Sequence, residues 1–454
     1  MKTTTGNRDL TRGEVWKVIS RFALPLLIGN LLQQLYNVTD SVIVGQFLGK
    51  EALAAVSASF FIYYFIISLV IGIGSGTTVV ISQFYGAKRF DKLQKAFSSF
   101  FIFMLVAGVL LSIIGIIFAE PMFRLTNTPE EVIPQAVLYF RIYVGGTFLF
   151  VTFNSIISIL RGVGESVRPM LFILLTTVLN VILDLVFIAV FHWGIEGAAR
   201  ATVIAQGIGM CVALAYINNT HPLLSIKKKD LVFDTGLFKE GLRIGLPTSV
   251  QQCAISLGLI ALLGIVNSFG TETLTAYGAA GKIDTIIIQA VLTLSGALAA
   301  FCGQNIGARR LDRVREGVRF AMLVNVVLGL ATFTAIYFFG DTMMLAFTND
   351  PEVIAIGQEY LLIIGGFFIV HGGLNVFNGA LRGAGDTLFT MVVSLTCLWL
   401  IRIPLAYWFS SIWGRVGIWW AIGASLCIGL AVTYIYYRLG FWKNKGAVRE
   451  GTSE

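Results

Sequence analysis

The sequence predicts an all-α polytopic membrane protein: twelve transmembrane helices arranged as two pseudo-symmetric six-helix lobes. Three observations predict it. The 454-residue chain is 56% hydrophobic and only 13% charged, where an ordinary soluble domain carries about 25% charge. Apolar runs long enough to span a bilayer follow one another along the chain, with basic loops on alternate sides. The second half repeats short motifs of the first at a fixed distance.

A span needs about 20 mostly apolar residues. Twelve such runs fall at 18–44, 53–80, 96–119, 132–157, 170–191, 196–217, 243–267, 274–302, 316–340, 353–379, 388–410 and 416–438. Lipid offers no partner for backbone polar groups, so these runs are expected to be helices, and the alternating short strands of an outer-membrane barrel are not seen. Basic residues (Lys2, Arg8, Arg12, Lys17) precede the first run. It is too long for a signal-peptide core and ends in no small-residue cleavage site, so it is expected to remain as span one.

Loop charge supplies the orientation. Lys88, Arg89, Lys92 and Lys95 follow span two, Arg161 and Arg168 span four, and Lys227, Lys228, Lys229 and Lys239 span six. Arg309, Arg310, Arg313 and Arg315 follow span eight, Arg382 span ten, and Arg438, Lys443, Lys445 and Arg449 span twelve. The opposite loops hold Glu120, Glu130, Glu131, Glu272, Asp341, Asp350 and Glu352. The positive-inside rule then places both termini in the cytoplasm. The formal charge of +8 is loop charge and forms no continuous nucleic-acid-binding stripe.

The internal repeat defines the halves. "QFYGAKRFD" (83–91) matches "QNIGARRLD" (304–312), and "LRGVGES" (160–166) matches "LRGAGDT" (381–387), both at an offset of 221. "TNTPEEV" (126–132) resembles "TNDPEV" (348–353), and "ALP" (23–25) resembles "GLP" (245–247). Each half holds six spans. An even number makes both halves enter the membrane the same way round, related by an axis along the membrane normal, as in two-lobed transporters. The expected domains are an amino-terminal lobe at 1–217, a cytoplasmic basic linker at 218–240 and a carboxyl-terminal lobe at 241–454.

Other chemistries are poorly supported. The five cysteines lie in apolar segments without a CxxC pair, and the three histidines do not cluster, so neither a metal site nor a cofactor is expected. "FLGKEA" and "AAGKID" carry a lysine without the hydroxyl and glycine spacing of a nucleotide-binding loop. No HExxH or nucleophile–base set suggests an enzyme.

The twelve spans, the six-plus-six repeat, "QxxGAxR" after spans two and eight, and "LRGxG" after spans four and ten resemble the multidrug and toxic compound extrusion (MATE) family. Asp40 in span one and Asp184 in span five resemble its bacterial DinF branch. The resemblance covers nearly the whole chain. It implies the MATE fold, a multi-pass protein of the bacterial inner (plasma) membrane, and lobes that alternate between outward- and inward-facing states. It also implies export of mostly cationic, apolar compounds driven by inward flow of H+ or Na+.

Helical spacing gathers the polar residues of the amino-terminal half. Positions three and four apart share a face, so Gln33, Tyr36, Asn37 and Asp40 make one polar stripe on span one. Asn180 and Asp184 repeat the device on span five, Thr202 and Gln206 on span six, and span four adds Asn154. Both acids lie past the middle of spans that run outward, hence at similar depth. A charge at the bilayer centre costs roughly 2.5–3.5 kcal/mol on insertion scales. Two neighbouring acids cannot both ionise cheaply, so at least one is expected to hold a proton near neutral pH. A neutral carboxyl bonds to amides and hydroxyls, whereas a carboxylate attracts a cation, so proton transfer can switch helix packing. Asp40 is the expected principal proton site and Asp184 its partner. Gln33, Tyr36, Asn37, Asn154, Asn180, Thr202 and Gln206 are expected to form the supporting network and to contact substrate.

The carboxyl-terminal half differs. Ala261 or Leu262 stands opposite Asp40 in the repeat, and Leu405 or Ala406 opposite Asp184. Spans seven and ten offer Gln251, Gln252, Ser256, His371, Asn375 and Asn378 but no interior acid. A branch of the resembled family binds Na+ through acids in that lobe, and their absence favours H+, with Na+ as the alternative. Lys282, Asp284, Arg402 and Arg141 lie in spans without a readable role. The 35 Phe, 14 Tyr, 8 Trp and 9 Met suit bulky cationic amphipathic partners through cation–π contacts and adaptable packing. The chain is expected to act as a monomer in the lipid bilayer without nucleic acid. The main rival is a two-lobed flippase for lipid-linked precursors. It would need basic residues in its cavity, where this cluster is acidic.

Overall fold

The computed structural model describes residues 9–126, 128–221, 223–227 and 230–448. Lys2, Arg8, Asn127, Lys228, Lys229 and Arg449 of the loops and motifs above lie outside them. The helices are α1 (Val15–Gly86), α2 (Phe90–Leu125), α3 (Ile133–Gly145), α4 (Thr147–Gly162), α5 (Val167–Asp184), α6 (Ile195–Thr220) and α7 (Thr235–Asn267). The rest are α8 (Thr271–Gly307), α9 (Leu311–Leu345), α10 (Pro351–Gly366), α11 (Phe368–Gly383), α12 (Thr387–Leu395), α13 (Ile403–Trp413) and α14 (Arg415–Leu439). No strand occurs among the described residues.

Among the described residues ten helical stretches are long and apolar enough to cross a membrane, and the bent pairs α3–α4 and α10–α11 bring the number to twelve. Spans four and ten, expected as single helices, bend by 46° and 48°. Both bends fall at a Gly-Gly step, 145–146 and 365–366. A Cβ on Gly146 would sit 2.5 Å from Val203 Cγ2 on α6, so the missing side chain lets α6 approach the bend. The stretch labelled α1 is likewise two helices: a kink at Gly49 (φ 84°, ψ −173°) separates span one from span two. Glycine reaches that conformation without the strain that a Cβ imposes.

The repeated motifs are turns. Lys88 (φ 57°) and Arg309 (φ 58°) take the left-handed conformation at equivalent places in "GAKR" and "GARR". Arg89 N–H then donates to Phe84 O (3.0 Å), and Arg310 N–H to Asn305 O (2.7 Å), closing the preceding helix. Gly164 (φ 88°) and Gly385 (φ 85°) do the same in the two "LRGxG" turns.

The chain divides into two compact units elsewhere than at the basic linker. One takes Asp9 and Leu24–Ser249, and the other Leu10–Ala23 and Val250 onward, so α1 and α7 each change unit part-way along. Side-chain hydrogen bonds explain the division. In the first unit the linker is held against α2: Gln94 Nε2 donates to Ser225 O (2.7 Å), Ser98 Oγ to Asp230 O (2.8 Å), and Asp234 N–H to Ser99 Oγ (2.8 Å). In the second, the segment ahead of α1 is held in the same way. Leu10 N–H donates to Gln304 Oε1 (2.9 Å) and Arg313 Nη1 to Gly13 O (2.7 Å).

Within the first unit α2 packs on α3 and α4, and α6 on α4 and α5. One of its cores contains Val44, Ala55, Phe123, Phe140, Val144 and Ala198. Within the second, α8 packs on α10 and α11, and α14 on α13, over Leu262, Val266, Ala280, Ala406 and Trp419. On α9 the exposed face is Leu323, Val327, Leu330 and Tyr337, a helical stripe of large apolar side chains suited to lipid tails.

Candidate functional site

The candidate site lies inside the first unit, where α1, α3, α5 and α6 converge. Tyr36 and Asp40 stand four apart on α1, Asn180 and Asp184 four apart at the end of α5, and Thr202 on α6. Helical spacing turns each pair to one face, and packing brings the faces together. Asp184 is fully buried, with Asn180 1%, Thr202 4% and Asp40 8% exposed.

Thr202 joins the elements. Its hydroxyl accepts from Asn180 Nδ2 (3.2 Å) and shares a hydrogen bond with the Tyr36 hydroxyl (3.1 Å). Asp40 and Asp184 lie side by side, close enough for their carboxyl groups to interact directly. Yet both Asp184 oxygens and Asp40 Oδ1 are buried without a hydrogen-bond donor among the described residues, as is Asn180 Oδ1. Ionised carboxylates only accept hydrogen bonds, so two of them cannot satisfy each other. One proton on either carboxyl turns the pair into donor and acceptor.

The backbone adds a second feature. α5 ends at Asp184 and continues as a π-helical turn, Leu185–Val190. Such turns are rare and concentrate at functional sites, because the wider turn leaves backbone groups in less regular pairing.

Not every expected residue joins. Gln33 and Asn37 share the polar stripe of α1 with Tyr36 and Asp40 but are exposed. Asn154 turns back to its own helix, donating from Nδ2 to Phe150 O (2.9 Å). Gln206 is half-buried and its Oε1 has no donor. A tyrosine cluster takes the place of the missing members. Tyr139 and Tyr143 on α3 stack 5.6 Å apart, and Tyr63 meets Tyr143 edge-on at 4.4 Å. Tyr139 and Tyr143 border both Asp40 and the Tyr36–Thr202 bond. Their four-residue spacing in span four was the available signal, masked there by the wealth of other aromatics.

The second unit has no such acid pair. Leu262 and Ala406, at the places equivalent to Asp40 and Asp184, are buried in its apolar core. Among the described residues no group of three or more His, Cys, Asp or Glu side chains is placed to hold a metal ion.

Comparison with known proteins agrees with this geometry. The MatE family model matches twice, over residues 25–186 and 247–408, one match per half. The chain is 31% identical to Probable multidrug resistance protein YoeA of Bacillus subtilis, across 97% of this chain and 96% of that one. It is 32% identical to Probable multidrug resistance protein YpnP of Bacillus subtilis, across 96% and 97%. A solved multidrug resistance MATE family transporter of the MOP superfamily, in an outward-facing conformation, superposes with a TM-score of 0.90 at 25% identity, covering 96% of this chain and 98% of that one.

Proposed function

Because this chain belongs to the multidrug and toxic compound extrusion (MATE) family of multi-pass membrane transporters, we propose that it exports cationic amphipathic small molecules against an inward flow of protons, with Asp40 and Asp184 as the coupling pair. The family is one of transporters and not of enzymes. The reading of the site rests on one observation: two adjacent buried carboxyl groups with three oxygens that no donor among the described residues satisfies.

The chemistry runs through those oxygens. With one proton shared, Asp40 and Asp184 are donor and acceptor and hold α1 against α5. Without it, the two negative charges repel and draw in water or a cation. Tyr36, Thr202 and Asn180 give the neutral pair a fixed hydrogen-bonded frame. Their reorganisation on ionisation passes the change along α1 and α6, which is how a local charge event biases a two-state element. A substrate cation and a proton then compete for one negative environment, so uptake of one favours release of the other. In this reading the protein works as a monomer of the DinF-like branch in the bacterial inner membrane. Its basic loops and both termini are cytoplasmic.

Sodium coupling is the second reading. Asn180 Oδ1 is another unsatisfied buried oxygen in the same network, and a set of carboxylate and amide oxygens also suits a hard cation. Reconstitution separates the two. Purified protein in liposomes is given an inward proton gradient or an equal sodium gradient, and efflux of a cationic dye is followed for the native chain and Asp40→Asn. Proton-driven efflux abolished by the substitution is expected. Sodium-driven efflux, or proton-driven efflux indifferent to Asp40, would overturn the reading.

A further inference from the structure

We propose that the second unit carries a binding site of opposite polarity, centred on Arg402, for the carboxylate or phosphate head of an amphiphile. Arg402 ends a π-helical run, Thr396–Arg402, in the eleventh span. That span is the repeat equivalent of the one that places Asp184 beside its own π-helical turn. Each unit thus sets one ionisable side chain at a π-helical segment inside the membrane, acidic in the first and basic in the second.

The guanidinium is only partly satisfied. Nε donates to Ser425 Oγ (2.9 Å), and Ser425 in turn donates to Ile422 O (2.7 Å), which fixes the plane of the group. Among the described residues, Nη1 and Nη2 have no hydrogen-bond acceptor and no carboxylate lies within ion-pair distance. Arg402 is half-buried near the middle of the Thr387–Trp413 span. A cation at that depth without a counter-charge is costly and marks a functional position by default.

The surroundings supply donors and aromatic rings. His371, Tyr277 and Tyr360 lie within electrostatic reach of the guanidinium. Tyr277 stacks on Trp419 at 5.6 Å, and Tyr360 meets the same ring edge-on at 5.0 Å. Trp419 is fully buried and its indole N–H has no acceptor. The unused donor is therefore the guanidinium fork, and the Tyr277–Trp419–Tyr360 stack supplies an apolar aromatic wall. A planar fork accepts a carboxylate or phosphate through two parallel hydrogen bonds, and the wall suits the adjoining hydrocarbon. Asp284 adjoins Tyr277 and Tyr360 too but makes no ion pair with Arg402 among the described contacts. The site is separate from the coupling pair, and its test does not depend on that reading.

The test is binding to the full-length protein in an uncharged maltoside detergent, by calorimetric titration and thermal unfolding. The probes are dodecyl phosphate, dodecyltrimethylammonium and inorganic phosphate. Saturable binding of dodecyl phosphate is expected at least ten-fold tighter than that of either other probe. Arg402→Gln should weaken it at least ten-fold while leaving the ligand-free melting temperature unchanged or raised. Arg402→Lys should keep part of the affinity, since it retains charge and loses the fork. Asp40→Asn should bind dodecyl phosphate like the native chain. Displacement by short-chain phosphatidylglycerol would assign the site to a lipid headgroup, and failure to displace would assign it to a soluble amphiphile. Equal binding by Arg402→Gln, or equal affinity for inorganic phosphate, would overturn the proposal. So would a failure of both Arg402 variants to fold, which would make the residue structural.

Discussion

Replacing Asp184 by asparagine should make the protein more stable and stop it working. The native side chain is fully buried and both of its oxygens lack a donor. A buried acceptor left unsatisfied costs about 1–3 kcal/mol. Asparagine is nearly isosteric and carries an N–H2 group, so it can donate to Asp40 Oδ1, itself without a donor. It also removes one of two neighbouring acids from a low-dielectric site. Measured against the doubly ionised pair, one orphan oxygen disappears and a second gains a partner, so a gain of about 1–3 kcal/mol is expected at a pH where the native pair has lost its shared proton, and little change where it keeps it. The variant resembles a pair locked in its one-proton state and cannot cycle. Thermal unfolding in detergent should show a higher midpoint for Asp184→Asn at alkaline pH, with the difference shrinking as pH falls, and proton-driven dye efflux from liposomes should fall more than ten-fold. Greater stability with lost activity is the trade-off expected where function depends on a frustrated site. A loss of stability above about 2 kcal/mol would refute the argument, because an unsatisfied acceptor cannot be worth that much to the fold. So would native transport by the variant.

Three further outcomes test the packing. Thr202→Val removes the hydroxyl shared by Tyr36 and Asn180 and strands the Asn180 amide, so it should cost about 1–3 kcal/mol, while Thr202→Ser should be near neutral by the same unfolding measurement. A Cβ on Gly72 would lie 2.2 Å from Ser249 N, whereas one on Gly278 would meet nothing within 4 Å. Gly72→Ala should therefore destabilise by about 1–3 kcal/mol, and Gly278→Ala should stabilise by up to about 1 kcal/mol through helix propensity; equal midpoints for the two would count against the close approach. Arg313→Ala breaks the bonds to Gly13 O (2.7 Å) and Asn305 Oδ1 (3.1 Å). Limited proteolysis should then cut near residues 10–13 at least ten-fold faster than in the native chain, and an unchanged cutting rate would remove the tether.

Much of the architecture was legible because lipid imposes simple rules. Spans must be long, apolar and helical, and basic loops must alternate, so the twelve runs and the repeat could be read from hydropathy, charge and spacing alone. The two bends were not legible. A Gly-Gly step permits a bend or close packing, and only the neighbour, Val203 in one case, decides which. The exchange of lead-in segments between units was hidden for a similar reason. "QNIGARRLD" declares a turn, but nothing local says that its Gln304 will hold Leu10, almost three hundred residues away in sequence.

The candidate site divides in the same way. Local spacing determined that Tyr36 with Asp40, and Asn180 with Asp184, would share helix faces, because a helix has one period. It could not determine where the buried face of α1 is centred. Packing against α5 and α6 turned Tyr36 and Asp40 inward and left Gln33 and Asn37 exposed. Tyr139 and Tyr143 entered the site by the approach of α3, and Tyr63 by that of span two, neither of which span one encodes. The sequence by itself determined which chemical groups must be buried in the membrane. Only the tertiary structure decided which of them meet, and which are left without a partner, because hydrogen bonds and charges act over a few ångströms and those distances are set by how the helices pack.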